Sequence, residues 1–181
     1  MEHIKAIAAY RHEHQCLLNV TAKVQGLLDR WEGSKDSVML KMRINTFVSS
    51  ILLHLVMEDG HFYPVVEAQG DPIINDKIRR IRKEARELGI LVKSLGDRWQ
   101  GANLAKDFSR CAEEFSGVVA LLWHRVIIEE EIFDLMEKHG QFHAGVKYFN
   151  SGVETFVLEE EKHRNQQSGN ISPAKSFRAA I

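Results

Sequence analysis

The sequence predicts an all-α fold, an up-and-down antiparallel four-helix bundle with a short extra helix at its C-terminal end. Three observations lead there. Apolar residues recur at alternating steps of three and four, the period of a helix with one buried face. Turn signals are few and short, at Glu32-Gly33-Ser34-Lys35, Gln69-Gly70-Asp71-Pro72, Gln100-Gly101-Ala102-Asn103 and His139-Gly140. No segment alternates residue by residue as a half-buried strand does. Short turns between long helices make sequential neighbours antiparallel.

The first helix carries a seam of Ile7, Tyr10, His14, Leu17, Thr21, Val24, Leu28 and Trp31. The second carries Leu40, Ile44, Phe47, Ile51, His54, Glu58, His61 and Val65, and the third Ile74, Ile78, Ile81, Ala85, Leu88, Val92, Leu95 and Trp99. Gly at a helix end and Asp71-Pro72 at the next start are ordinary stop and start signals. The fourth helix, from about Leu104 to Lys138, is apolar around most of its girth between Phe115 and Ile128, which predicts deep burial. Residues 1–140 thus form the bundle. Residues 141–164 form a helical extension with Phe142, Val146, Phe149, Val153 and Phe156 on its apolar side, and the Ser/Asn/Gln-rich 165–181 is expected to be a disordered tail.

Composition narrows the function classes. A formal charge of -1 supplies no basic field for nucleic acid or anionic lipid. The charge runs Arg79–Lys83 and Glu129–Glu131 are read as solvated helix faces. Cys16 and Cys111 have neither metal nor redox spacing and are read as small core residues. With no signal peptide at Met1–Arg11 and no uncharged run of transmembrane length, a reducing, cytoplasmic setting is expected.

The anomaly lies on the seams. His14, His54, Glu58 and His61 occupy positions otherwise filled by Ile, Leu, Phe and Val. A carboxylate on a core face costs several kcal/mol unless a cation or a charged partner compensates it. His14 lies 17 residues before Trp31 and His54 lies 18 after Asp36, so in an antiparallel pair they share a height. His54 and Glu58, at i and i+4, meet on one face. Counting across the second turn brings Glu84 and Ala85 to the same level, with Ala85 on the seam. Imidazole and carboxylate together suit iron, manganese or zinc, and a bridging carboxylate suits a pair of ions. The alternative is a buried His–Glu pair with no metal. A weaker signal, Glu58-x-x-His61 with Glu160-x-x-His163, has the spacing of ferritin-like carboxylate sites, but its second half falls beyond the bundle.

Several strings resemble the hemerythrin-like, or HHE cation-binding, family: Arg11-His12-Glu13-His14 followed by Leu17-Leu18, and His54-Leu55-Val56-Met57-Glu58-Asp59 running on to Phe62-Tyr63-Pro64. His124 and Glu129 look like the family's His-x4-acid pair on the last helix. The resemblance covers about residues 5–140. It implies a four-helix bundle with a non-haem diiron centre that binds or senses oxygen or a related small oxidant. The ligands it implies are His14, His54, Glu58, His124 and Glu129.

The sequence departs from the pattern on helix three, where a histidine is expected and Ala85 stands. Glu84, Glu87 or His61 are the available substitutes. On helix four a second registration is open: a core face of Phe115, Val119, Leu122, Val126, Glu129, Phe133 and Met136 keeps Glu129, turns His124 away and brings Arg125 in as an ion-pair partner. Two functions of different class follow. One is a non-haem iron protein holding two ions, with dioxygen as its small-molecule partner. The other is a metal-free four-helix interaction bundle with a protein partner. A redox enzyme at the same metals ranks below both, because no nucleophile with its base and no phosphate loop appears.

Overall fold

The computed structural model describes residues 2–33, 36–100 and 102–139. The expected extension at 141–164 and tail at 165–181 lie outside the described residues. The described chain is all-helical, consistent with a helical bundle. Its elements are α1 (Glu2–Leu28), α2 (Ser37–Met57), a π-helical turn (Glu58–Phe62), α3 (Tyr63–Glu67), α4 (Pro72–Arg98), α5 (Ala102–Lys106) and α6 (Phe108–His139). α1 packs on α2, α2 on α4, α4 on α6, and α6 back on α1.

The turns behave as their residues dictate. Gly33 and Gly70 take φ of +95° and +79°, the left-handed conformation that glycine adopts without penalty. Asp71 caps α4 by accepting from the backbone N–H of Ile73 (2.9 Å) and Ile74 (3.1 Å), and Pro72 opens the helix behind it. The last helix is split at Asp107, whose side chain accepts from Arg110 N–H at 3.4 Å.

All but the last of the first helix's seam residues are buried, and Trp31 is half-buried. On α4 every seam residue is buried except the half-buried Ala85. The second seam holds as far as Glu58 and then fails. The π turn winds in one extra residue, so His61 is exposed and Val65 half-buried, while Phe62, Tyr63 and Val66 face inward. α6 is also less deeply buried than its composition predicts, because Leu121, Trp123 and Ile127 are exposed on its outer side. The segment Ser37–Glu67 is long and apolar enough to cross a membrane by length and composition, with 44% of its most apolar window buried inside the protein.

Two apolar cores result. One gathers Leu17, Val24, Phe47, Ile51, Leu88, Phe115 and Leu122. The other gathers Ile7, Tyr10, Phe62, Ile78, Ile132 and Phe133. Between Tyr10 and Leu17, Ile51 and Phe62, and Leu122 and Phe133 lie the buried histidines, carboxylates and arginine, so a polar layer separates the two cores.

Candidate metal centre

Six charged or ionisable side chains make up that layer among the described residues: Glu13, His14, His54, Glu58, Arg125 and Glu129, none more than 1% exposed. α1 supplies Glu13 and His14, and α2 supplies His54. The π turn opens with Glu58, and α6 supplies Arg125 and Glu129.

His14, His54, Glu58 and Glu129 each offer a ligand atom, all within 4.8 Å of one another. His14 Nε2 lies 3.2 Å from Glu129 Oε2 and 3.9 Å from Glu58 Oε1. His54 Nε2 lies 3.1 Å from Glu58 Oε1. The two rings meet edge-on, with centroids 5.3 Å apart, and His14 stacks on Phe133. Although some of these atoms are close, their directions are wrong for hydrogen bonds. His14 Nε2, His54 Nε2, Glu58 Oε1 and Glu129 Oε2 are all buried without a hydrogen-bond partner. An orphaned buried polar atom ordinarily costs about 1–3 kcal/mol, so four converging on one point is the signature of a missing common partner.

The outer nitrogens are satisfied. His14 Nδ1 is 2.7 Å from Glu130 Oε1, and His54 Nδ1 is 3.2 Å from Glu13 Oε2. When the imidazoles are neutral, a carboxylate behind each holds the remaining proton on Nδ1 and leaves the Nε2 lone pair directed into the cluster, the arrangement that metal-binding histidines use. The donor set of two imidazoles and two carboxylates therefore fits a transition-metal cation.

Electrostatics point the same way. Burial by itself would depress the His54 imidazole, but Glu58 and Glu13 outweigh it, against opposition from His14, and carry it to about 9. Burial likewise opposes charge on His14, yet Glu129, Glu130 and Glu58 lift it well above its ordinary value. Glu58, which burial would raise, is held well below the carboxylate range chiefly by His54 and Arg125. Burial, with the Glu129 and Glu58 charges, raises Tyr63, which stays a neutral donor. Protons on the imidazoles and a metal cation are thus alternative ways of balancing the same carboxylates.

Of the residues expected at the site, the structure brings together His14, His54, Glu58 and Glu129. His124 is not among them: its side chain is 58% exposed and lies 3.9 Å from Glu84, itself 40% exposed. Five residues of helix turn His124 about 140° away from Glu129, whereas Arg125, four residues before it, shares its face. The second registration of helix four is the one observed. His61 is exposed on the π turn, and Ala85 lines α4 at this level. Glu129 also shows that the acidic run is not uniformly solvated: it is fully buried while its neighbour Glu131 pairs at the surface with Lys77 (2.6 Å).

Sequence reasoning missed three participants. Glu13 lies just off the α1 seam, and Glu130 sits in the acidic run, so periodicity marks neither. Tyr63 stands in the quoted Phe62-Tyr63-Pro64 string but turns inward through the π register. Its hydroxyl donates to Glu129 Oε1 (2.5 Å), with Glu58 Oε2 at 3.2 Å.

No curated protein and no solved structure matches the chain. A family model does match, that of the hemerythrin HHE cation-binding domain, over residues 5–135. That span contains every residue of the cluster, and domains of this kind bind metal cations, typically iron. On that match and this geometry, the chain belongs to the hemerythrin HHE cation-binding family.

Proposed function

We propose that this protein is a non-haem iron protein of hemerythrin type that binds or senses dioxygen or a related small oxidant. The observation that carries it is the convergence of four orphaned ligand atoms, from His14, His54, Glu58 and Glu129, within one buried layer. These residues would hold the ion, with Glu13 and Glu130 orienting the imidazoles. Bound iron supplies a position for a small ligand and a change of valence. The chain's own residues supply the rest. Phe133 and Phe62 exclude water on one side, and Tyr63 holds a proton beside the carboxylates. A groove of about 590 Å³ between α1 and α6, lined by His14, Leu18, Trp123, Val126 and Ile127 among others, gives a small molecule an approach from the His14 side.

The bundle is proposed as up-and-down and antiparallel, on the cyclic packing of α1, α2, α4 and α6 and the short connections between them. A cytoplasmic setting is proposed on Cys111, a buried thiol that forms no disulfide. A metal-free interaction bundle is the competing function, favoured by the buried Arg125–Glu129 ion pair at 2.9 Å, which compensates one carboxylate without metal. It leaves four buried ligand atoms without hydrogen bonds.

Metal analysis of protein purified under anaerobic conditions separates the two. Iron near stoichiometric amounts, with near-ultraviolet absorption that appears on exposure to oxygen, is the expected result. Only trace transition metal, in protein that also takes up none when offered ferrous ion, would rule the iron function out.

A further inference from the structure

Glu58 and Glu129 each divide their two oxygens between different neighbours. Glu58 Oε1 and Glu129 Oε2 turn to the imidazoles and are the orphaned pair. Glu58 Oε2 and Glu129 Oε1 turn the other way, to Arg125. Its Nη2 donates to Glu58 Oε2 at 2.8 Å, and its Nε lies 2.9 Å from Glu129 Oε1. Two carboxylates shared in this manner face two places at once. One is the four-ligand cluster. The other is already occupied by a guanidinium.

We infer that Arg125 is a built-in second cation, so that the site holds a single metal ion where the family resemblance implies two. The inference rests on the proposed metal binding at His14, His54, Glu58 and Glu129. Its first support is the seat itself. Besides the two carboxylates, Arg125 Nη1 donates to the Ile81 carbonyl at 2.9 Å and Nη2 donates to the Tyr63 hydroxyl. Ile81 lies one turn before Ala85 on the same face of α4. The guanidinium thus reaches α4 where a third-helix histidine was expected, and Arg125 is only 1% exposed.

The donor inventory is the second support. Both buried histidines already point Nε2 at the first position, and His12, His61 and His124 are exposed. A second ion would find only carboxylate oxygens and a tyrosine oxygen that already serve Arg125. Charge is the third. The buried charged groups other than the two imidazoles are three carboxylates and one guanidinium. One divalent ion beside neutral imidazoles brings that buried charge to zero, whereas a second would leave two uncompensated positive charges in an apolar interior.

The test is the ferrous-ion stoichiometry of the full chain, followed by native mass spectrometry and anaerobic titration, for wild type, Arg125→Lys and Arg125→Gln. Wild type and Arg125→Lys are expected to saturate at one ion per chain, because both keep a cation in the second seat. After oxidation, wild type should give the half-integer-spin resonance of an isolated ferric ion, which a coupled pair suppresses. Arg125→Gln empties the seat of charge, and a second, weaker ion is expected. Two ions per wild-type chain would overturn the inference while leaving the iron function standing; no ion at all would overturn both. Arg125→Gln that folds, by circular dichroism, yet stays at one ion would show that Arg125 does not fill a cation's place. If that variant does not fold, wild type and Arg125→Lys still decide, since two ions in either contradicts the inference.

Discussion

At the scale of single residues, the centre is a competition between protons and metal for two imidazoles. His54 is pushed up to about 9 and His14 is raised as well, so near neutral pH both carry protons that a metal must displace. Metal affinity should therefore increase with pH up to about 9, by as much as about tenfold per pH unit for each proton released. The metal-free protein should behave in the opposite sense. A raised imidazole stabilises the folded chain fully below the unfolded value near 6.5, and that contribution disappears as pH climbs through about 9. Urea unfolding of chelator-treated protein across this window checks the sign, and a stability that grew with pH would contradict it. His54→Ala should release iron under dialysis conditions in which His61→Ala, altered at an exposed position on the π turn, retains it. Glu13→Gln, which removes the charge behind His54 Nδ1 but no ligand, should weaken metal binding by about 10–100-fold by titration.

At the scale of elements, the π turn is what makes the site selective about its neighbours. A continuous α-helix from Glu58 would bring His61 to the seam; the extra residue in Glu58–Phe62 puts Phe62 and Tyr63 there instead. The tyrosine hydroxyl can then reach both carboxylates. Deleting Gly60, which has no atom close to the position a side chain would take, removes the extra residue and should restore ordinary winding while Phe62 and Tyr63 keep facing the site. Metal affinity close to that of the unaltered chain is the expected outcome, read by titration, with helicity retained by circular dichroism. The cap on α4 is simpler. Asp71→Ala removes two backbone hydrogen bonds at the start of a 27-residue helix and should cost about 1 kcal/mol in urea unfolding, without changing metal stoichiometry.

For the whole molecule, the polar layer sits where the structure would otherwise be weakest. It divides the interior into two apolar cores, and its ligands come from α1, the α2–π segment and α6. An ion bound to all of them ties three chain segments together at the level where hydrophobic contact is interrupted. Ferrous ion at about 100 times its Kd should therefore stabilise the fold by about 2.7 kcal/mol, seen as a rise in Tm that a chelator reverses. His54→Ala should lose that rise. α4 contributes no ligand, only the Ile81 carbonyl that receives Arg125, so it joins the site through the guanidinium.

How much of this was legible beforehand differs between backbone and site. The helices, their turns and most inward faces follow from local chemistry: apolar spacing, Gly33 and Gly70 at turns, Asp71-Pro72 at a helix start. Each is decided within a few residues, and so each can be read in order along the chain. His14, His54 and Glu58 were visible for the same reason, as polar residues on seams that were otherwise apolar. The rest depended on rotation and on contacts across the bundle. A single extra residue in the π turn exchanged His61 for Phe62 and Tyr63, and the registration of α6 exchanged His124 for Arg125. Glu13 and Glu130 matter only because an imidazole from the same layer turns its far nitrogen toward each. The sequence by itself determined that a layer of histidine and carboxylate, the donors a cation would need, would lie inside a helical bundle. Only the tertiary structure decided which side chains face it, because a side chain's direction around a helix depends on every residue wound before it and on what packs opposite.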